Sequence, residues 1–205
     1  RPNEDKCTFS AIFEWNPKGV LVKEWFGRTV IHSDRRFAYE DAQVLIEHEG
    51  EVTDPFEPVI KDLNRIAKTL REERFRHGSV NFETVEVRFE LDAEGKPIAV
   101  YPRIRKDAHK LIEEFMLLAN KKVAEYVHNL KHTDPRNTMV YRVHEAPDPE
   151  KLRVFSSFAK KFGYQVTTEP KQVSKSFNAL MENIEGKAEE NVLQSLADRK
   201  STRLN

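Results

Sequence analysis

Apolar and polar residues alternate along two early stretches of the chain, TFSAIFEW (8–15) and VLVKEWFGRTVIHS (20–33). Both stretches are rich in β-branched and aromatic residues, and the turn residues 16–19 separate them. They predict an antiparallel hairpin with one packed face and one wetter face. A second pair of such stretches, 80–92 and 96–104, predicts another hairpin.

Apolar residues elsewhere recur at the spacing of α-helices, three or four residues apart. Together with the hairpins, these helices predict an α+β fold in which an antiparallel sheet built from hairpins packs against long helices. Ser33 and Asp34 are suitable N-caps for the first helix, and TMVYRVHE (138–145) predicts one short strand. The predicted helices cover about 35–48, 59–76, 106–130, 149–162 and 170–196.

The predicted helix 106–130 carries polar residues along one edge of its apolar stripe. On a helical wheel Glu113 lies beside the stripe together with His109 and Asn120, whereas Glu114 falls opposite it and is expected to face solvent. A polar row at the edge of a buried face can line a binding groove, or it can be a boundary satisfied by its neighbours. Periodicity alone leaves both interpretations open.

Composition limits the class of protein. The 205 residues carry 34 basic and 34 acidic side chains, so any anion site must be local. Cys7 is the single cysteine, which predicts a reducing, cytoplasmic location. A helix needs about 18 to 20 apolar residues to span a bilayer, and no apolar run of this sequence is that long. We therefore expect no membrane partner. The length suits one domain, and a start at Arg1 predicts an internal piece of a longer protein.

Motifs of known chemistry do not by themselves assign a reaction. His128 and His132 stand four residues apart, which suits a two-histidine metal site, but no third ligand follows nearby. The sequence has no glycine-rich phosphate loop, no nucleophile elbow and no aspartate cluster. Motifs alone therefore identify neither a catalytic nor a metal-binding residue.

Five runs of the chain, in order, resemble one enzyme family: RPNEDKCTFSAIFEWNPKG, WFGRTVIHSDRRFAYEDAQ, RFRHGSVNFE, KDAHKLIEEFMLLANKKVAEY and VYRVHEAPDPEKL. They resemble the middle and later part of the catalytic (RNB) domain of ribonuclease R and ribonuclease II. The resemblance covers 1–197 and implies a partial RNB catalytic domain. It also implies a processive 3′-to-5′ hydrolytic exoribonuclease that threads single-stranded RNA and releases nucleoside 5′-monophosphates. The last residues, DRKSTRLN (198–205), depart from the family and predict a non-native or disordered tail.

The resemblance also implies where the chemistry lies. In the family four aspartates hold two Mg²⁺ ions that activate water, and that cluster lies upstream of the stretch matching Arg1. The parent protein is therefore expected to use Mg²⁺, whereas the isolated chain is expected to hold no metal, to contain no catalytic residue and to be inactive. Tyr39 and Glu113 match a pair that contacts ribose, and Phe82 matches an aromatic residue that stacks on a terminal base.

Further phosphate contacts and alternative functions stay open at this point. Two sets of cationic residues could contact phosphates. One set lies in 74–77, before Phe82, and the other, Arg103 and Arg105, precedes the predicted helix 106–130. No obligate protein partner is implied. The alternative functions are a non-catalytic RNA-binding module and a protein-interaction piece that retains only the fold. Convergence of the three RNA contacts on one groove would argue against the protein-interaction alternative.

Overall fold

Helices and paired strands alternate along the chain, which confirms the predicted α+β fold. The structure is a computed structural model that describes residues 2–80, 86–130, 139–141 and 147–201. Within these ranges the chain forms two antiparallel two-stranded sheets and six helices. In chain order the elements are β1 (Asp5–Trp15), β2 (Leu21–His32), α1 (Tyr39–Glu47), α2 (Glu57–Arg76), β3 (Glu86–Leu91), β4 (Pro97–Arg103), α3 (Asp107–Leu130), α4 (Pro149–Lys160), α5 (Val173–Ile184) and α6 (Glu190–Ser201).

The chain divides into two compact units. The first unit comprises Arg1–Arg71 and Arg105–Tyr141, and it contains the first hairpin, α1 and α3. The second unit comprises Glu72–Ile104 and Arg142–Asn205, and it contains the second hairpin and the last three helices. Of the strand predicted over 138–145, residues 139–141 are not in a strand, and the others lie outside the described residues.

The turn between β1 and β2 is held by Asn16. Its side-chain Oδ1 accepts the backbone N–H groups of Lys18 and Val20, each at 3.0 Å. Gly19 follows with a φ of 76°, a left-handed conformation that glycine adopts without strain. The turn therefore brings the two strands back antiparallel, and the first predicted hairpin is confirmed.

Aromatic side chains join this hairpin to α3. The ring centroids of Phe13 and Phe26, one from each strand, lie 6.1 Å apart. Trp15 meets Phe115 of α3 edge to face at 6.0 Å, and Phe26 lies 4.8 Å from Tyr126 of the same helix. Such aromatic pairs contribute about 0.5–1.5 kcal/mol each beyond the burial of their area. The predicted packing of a hairpin against the long helix is confirmed here.

The first helix begins later than predicted. α1 starts at Tyr39, so the predicted start at Arg35, with Ser33 or Asp34 as the N-cap, is wrong. Arg35 instead donates from Nη1 to Asp54 Oδ2 at 2.6 Å. This contact draws Arg35 toward the loop before α2, and it leaves Tyr39 as the first helical residue.

Gln43 joins α1 to the first turn of α3. Its Oε1 accepts the backbone N–H of Ala108 at 2.9 Å, and its Nε2 donates to Glu47 Oε1 at 2.8 Å. Ala108 is the second residue of α3, where a backbone N–H has no partner within its own helix. Gln43 is 6% exposed and Ala108 is 3% exposed, so water cannot readily take the place of either group. The bond therefore determines how α1 lies on α3.

A buried carboxylate lies at the start of α2. Glu57 is 1% exposed; Lys61 Nζ donates to its Oε1 at 2.7 Å, and His48 Nδ1 lies 3.0 Å from the same oxygen. Lys61 also donates to the carbonyl oxygen of His48 at 2.6 Å. The hydrogen bonds from Lys61 and His48 hold the pKa of the Glu57 carboxyl below its ordinary value of 4.5, against the opposing effect of burial.

Apolar side chains of α4, α5 and α6 form the core of the second unit. The rings of Phe155 and Phe177 stack with centroids 5.2 Å apart, and both residues are buried. The prediction of a single helix over 170–196 is wrong, because the chain turns at Gly186, where φ is 72°. The Gly186 N–H donates to Glu190 Oε2 at 2.7 Å, which stabilises the turn between α5 and α6.

The second hairpin pairs Phe89 opposite Val100. These two apolar side chains are 55% and 61% exposed. The hairpin is confirmed as a paired element, but in the part of it that the structure describes these side chains are not covered by a helix of the same unit.

The predicted tail, 198–205, overlaps the end of α6. The helix runs to Ser201, so the backbone of 198–201 is helical. The side chains of those residues, and the whole of 202–205, lie outside what the structure describes. A non-native or disordered tail therefore stays a prediction.

Glu57 is expected to make the stability of the chain sensitive to acid. Because folding lowers the pKa of this carboxyl, its stabilising contribution is complete above the ordinary value of 4.5 and is lost as the pH falls through the lower folded value. We expect urea unfolding, followed from about pH 7 to about pH 3, to show a smaller acid loss of stability for Glu57→Gln than for the unchanged chain. Glu51→Gln, in the exposed loop between α1 and α2, is the control. An unchanged acid loss in Glu57→Gln would contradict this assignment.

Gln43→Met is expected to lower the free energy of unfolding by about 1–3 kcal/mol, because methionine keeps the length of the side chain but leaves a buried N–H without an acceptor. Urea unfolding monitored by circular dichroism measures this cost. Gln194→Met is the matched control, since Gln194 Nε2 donates to Glu190 Oε1 at 3.1 Å within α6. Losing that bond is expected to cost about 0.2–0.5 kcal/mol. Equal costs for the two variants would refute the role of Gln43.

Candidate nucleic-acid interface

A histidine caps the N-terminus of α3. His109, the third residue of the helix, accepts the backbone N–H of Lys106 at its Nδ1 over 3.3 Å. Glutamate or glutamine commonly fills this role in a capping box, and here an imidazole does so. Because Nδ1 accepts this bond, the proton of the ring lies on Nε2. Together with the bond from Ala108 to Gln43, it satisfies two backbone donors at this end of α3.

The ring of Tyr39 stacks on the ring of His109. Their centroids lie 4.3 Å apart and their planes are 13° from parallel. Tyr39 and Gln43 lie four residues apart on one face of α1. Since Gln43 binds Ala108, Tyr39 comes to lie against the next residue of α3, His109. Tyr39 is still 41% exposed, so a ligand can reach its side chain.

Glu113 lies one helical turn beyond His109 on the same face of α3. The guanidinium of Arg105 donates to its Oε2. The side chains of Glu113 and Arg105 are 32% and 42% exposed, so the pair is open to solvent on one side. The structure therefore brings Tyr39 and Glu113 to one surface, with His109 between them. We call these four residues, Tyr39, Arg105, His109 and Glu113, the Tyr39–Glu113 surface.

Phe82, the third predicted RNA contact, lies outside the described residues. Convergence of all three contacts on one groove therefore stays a prediction. The roles of the three residues in binding RNA stay predictions, although two of them lie together.

The prediction for Glu114 is wrong. This residue is 3% exposed, and its Oε1 lies 3.8 Å from Nη1 of Arg71 on α2. The buried flank of α3 runs through Ala108, Leu111 and Glu114, whereas Met116 of the predicted apolar stripe is 60% exposed. The reason is α2, whose cations pack against this flank and compensate the carboxylate that a helical wheel assigns to solvent.

A cleft of about 210 Å³ lies between α2 and α3 within the first unit. Lys68 Nζ lies 2.9 Å from Asp107 Oδ2, and this hydrogen bond lowers the pKa of the Asp107 carboxyl. Asp107 is the first residue of α3, where the helix dipole also favours an anion. The charged groups of the cleft are two carboxylates, Asp107 and Glu114, and three cations, Lys68, Arg71 and Lys110.

The ranges 2–80, 86–130, 139–141 and 147–201 contain no group of three His, Cys, Asp or Glu side chains placed to hold a metal ion. The two-ion aspartate site that the resemblance implies for the parent has no counterpart there. His132, one of the pair noted with His128, lies outside these ranges. In the same ranges, no helix combines the length and the apolar character needed to cross a membrane.

Sequence patterns did not identify Gln43 and assigned no role to His109. The helical wheel does place His109 and Glu113 on one flank, and the structure confirms that they share a face. Gln43 carries no comparable signal, because a buried glutamine is recognisable only when a second element supplies the backbone group that it binds.

Comparisons with known proteins identify the family. The RNB domain matches residues 1–203. Ribonuclease R of Aquifex aeolicus (strain VF5) is 32% identical over 206 residues, which cover 99% of this chain and 28% of that protein. A protein of Arabidopsis thaliana described as inactive exonuclease DIS3L2 is 32% identical over 175 residues, which cover 79% of this chain and 16% of that protein. The chain thus spans less than a third of the length of either relative.

A solved structure shares the fold. RNase R of Mycoplasma genitalium, in complex with ribose methylated single-stranded RNA, superposes with a TM-score of 0.84 at 17% sequence identity. The superposition covers 98% of this chain and 31% of that chain. At this identity the likeness shows the fold, and the domain match shows the family. The chain belongs to the RNB-domain family, the family of the ribonuclease R exoribonucleases.

Proposed function

We propose that this chain forms part of the RNA-binding channel of a 3′-to-5′ exoribonuclease that takes single-stranded RNA and releases nucleoside 5′-monophosphates. Membership of the RNB-domain family supports the reaction class. The observation that carries the proposal is the placement of Tyr39 and Glu113 on one surface, joined by the ring of His109. Single-stranded RNA is the proposed partner, and the solved complex of the Mycoplasma genitalium relative supports it.

Glu113 is suited to bind a ribose hydroxyl. A carboxylate offers about four lone-pair sites, so it can accept hydrogen bonds from Arg105 and from a 2′-hydroxyl at the same time. The guanidinium of Arg105 orients this carboxylate through the hydrogen bond that it donates. Deoxyribose has no 2′-hydroxyl to donate, so this contact favours RNA over DNA.

Tyr39 complements Glu113 because a phenol both donates and accepts hydrogen bonds. A 2′-hydroxyl also does both. A ribose placed beside Tyr39 and Glu113 can donate to the carboxylate and accept from the phenol. Two side chains on one surface are therefore enough to recognise ribose without reading any base.

Phe82 is proposed to stack on a terminal base. Stacking on an aromatic ring contributes about 1–3 kcal/mol for each base and does not depend on sequence. It also does not distinguish RNA from DNA, because every base offers the same kind of face. Arg105 is proposed to attract phosphate as well as to hold Glu113, which would make the binding dependent on salt.

Hydrolysis in the parent protein is proposed to use two Mg²⁺ ions held by aspartates that this chain does not contribute. When bound, such ions activate water and stabilise the leaving oxygen. The residues of this chain are proposed to bind and orient the strand. The single cysteine supports a cytoplasmic location, and we propose no obligate protein partner.

A non-catalytic RNA-binding module is the second candidate function. The Arabidopsis thaliana relative that is described as inactive favours it, because that protein is 32% identical to this chain over 175 residues. Both candidates use the Tyr39–Glu113 surface for RNA. They differ only in whether the aspartates of the parent are present.

The first test compares binding of one oligoribonucleotide and of its deoxy counterpart by fluorescence anisotropy, at two salt concentrations. We expect the chain to prefer RNA. Glu113→Gln is expected to weaken RNA binding by about tenfold or more, because it removes a charge-assisted hydrogen bond to the 2′-hydroxyl, and not to weaken DNA binding. Phe82→Ala is expected to weaken both equally.

Glu125→Gln is the matched control for this test. Glu125 also lies on α3 and also pairs with a cation, since its Oε2 lies 3.1 Å from Lys122 Nζ. The control therefore removes the same charge and the same kind of ion pair, away from the Tyr39–Glu113 surface. A loss of RNA preference in Glu125→Gln, or its retention in Glu113→Gln, would show that the proposed ribose contact is wrong.

The chain by itself is expected not to hydrolyse RNA. With end-labelled single-stranded RNA and Mg²⁺, we expect no release of nucleoside monophosphates, because the described residues hold no metal-binding cluster. A contaminating nuclease is recognised by equal release from a preparation of Tyr39→Ala. The expectation would be overturned if the unchanged chain released nucleoside monophosphates and Tyr39→Ala abolished that release.

A further inference from the structure

His109 has no assigned role in RNA binding, yet it contacts the exposed ring of Tyr39. Tyr39 is the first residue of α1. Long side chains in a helix lean over the turn that precedes them, and Tyr39 has no such turn. Its orientation must therefore come from another element. The ring of His109 supplies that contact, since the two rings stack at 4.3 Å and 13°.

We propose that His109 is a positioning residue: its ring holds the phenol of Tyr39 in place for ribose and so contributes to the preference for RNA over DNA. This inference rests on the proposed function of Tyr39 and Glu113. The imidazole performs two separable tasks. Its face holds Tyr39, while its edge accepts the Lys106 N–H at Nδ1.

The two tasks use different parts of the imidazole, and His109 lies in the first turn of α3. Its Nδ1 is an acceptor for Lys106, whose own ammonium lies 3.8 Å from Glu47 of α1. Neither task therefore needs a charge on His109. A phenyl ring can replace the face, and an uncharged amide can replace the acceptor.

Two substitutions separate the tasks. His109→Gln keeps an acceptor for the Lys106 N–H and removes the ring, so we expect a thermal midpoint close to that of the unchanged chain. Its ratio of RNA to DNA affinity is expected to fall about 3- to 10-fold, the size of a lost aromatic pair. His109→Phe keeps the ring and removes the acceptor. It is expected to lower the thermal midpoint and to restore the affinity ratio relative to His109→Gln.

A double-mutant cycle with Tyr39→Ala distinguishes positioning from direct contact with RNA. If His109 acts through Tyr39, His109→Gln changes the affinity ratio in the unchanged chain and has no effect in the Tyr39→Ala background. An effect that persists in that background would overturn the inference, because His109 would then act on RNA directly. Unfolding of His109→Gln, seen by circular dichroism, would also overturn it, because the two tasks would not be separable.

The outcomes for the two proposals can be told apart. If the unchanged chain is folded and shows no preference for RNA, the proposed function of the Tyr39–Glu113 surface fails, and the inference fails with it. If the unchanged chain prefers RNA and Glu113→Gln abolishes this preference, while His109→Gln leaves it intact, only the inference about His109 fails.

Discussion

A hydrogen bond between two buried groups, Gln43 Oε1 and the N–H of Ala108, sets the position of α1 on α3. Both groups are shielded from water, so a shift of either helix would leave a donor or an acceptor unpaired. Each residue along a helix turns by about 100°, so a slip of one residue would carry the ring of Tyr39 away from that of His109. The arrangement of the Tyr39–Glu113 surface therefore depends on a contact that touches no ligand.

Charged side chains in this electrically neutral chain act mainly on one another. Glu57 is held by Lys61 and His48, and the buried carboxylate of Glu114 lies close to Arg71. A carboxylate removed from water needs such partners, since leaving it alone would cost several kcal/mol. A chain built in this way presents little net field to a polyanion. Selectivity for RNA, as proposed, then comes from the geometry of a few hydrogen bonds.

A helix or strand is predictable from the sequence when the residues of its own segment determine it. Both hairpins and the long helix meet this condition, because alternation and helical spacing are properties of the segment alone. The predictions are wrong where a contact with a residue distant in sequence determines the local structure. Arg35 leaves the helix predicted for it because Asp54 offers a carboxylate. The stack of Tyr39 on His109 was not predictable either, because it depends on the buried bond by which Gln43 joins α1 to α3.

Both tryptophans of the chain, Trp15 and Trp25, belong to the first hairpin. Trp15 lies against Phe115 of α3, so its indole emission reports on the packing of the first unit, while the second unit carries no indole. Far-ultraviolet dichroism, in contrast, is dominated by helices of both units. The native chain thus contains its own spectroscopic label for one half, and a difference between the two signals during unfolding would separate the cooperativity of the two halves without any added probe.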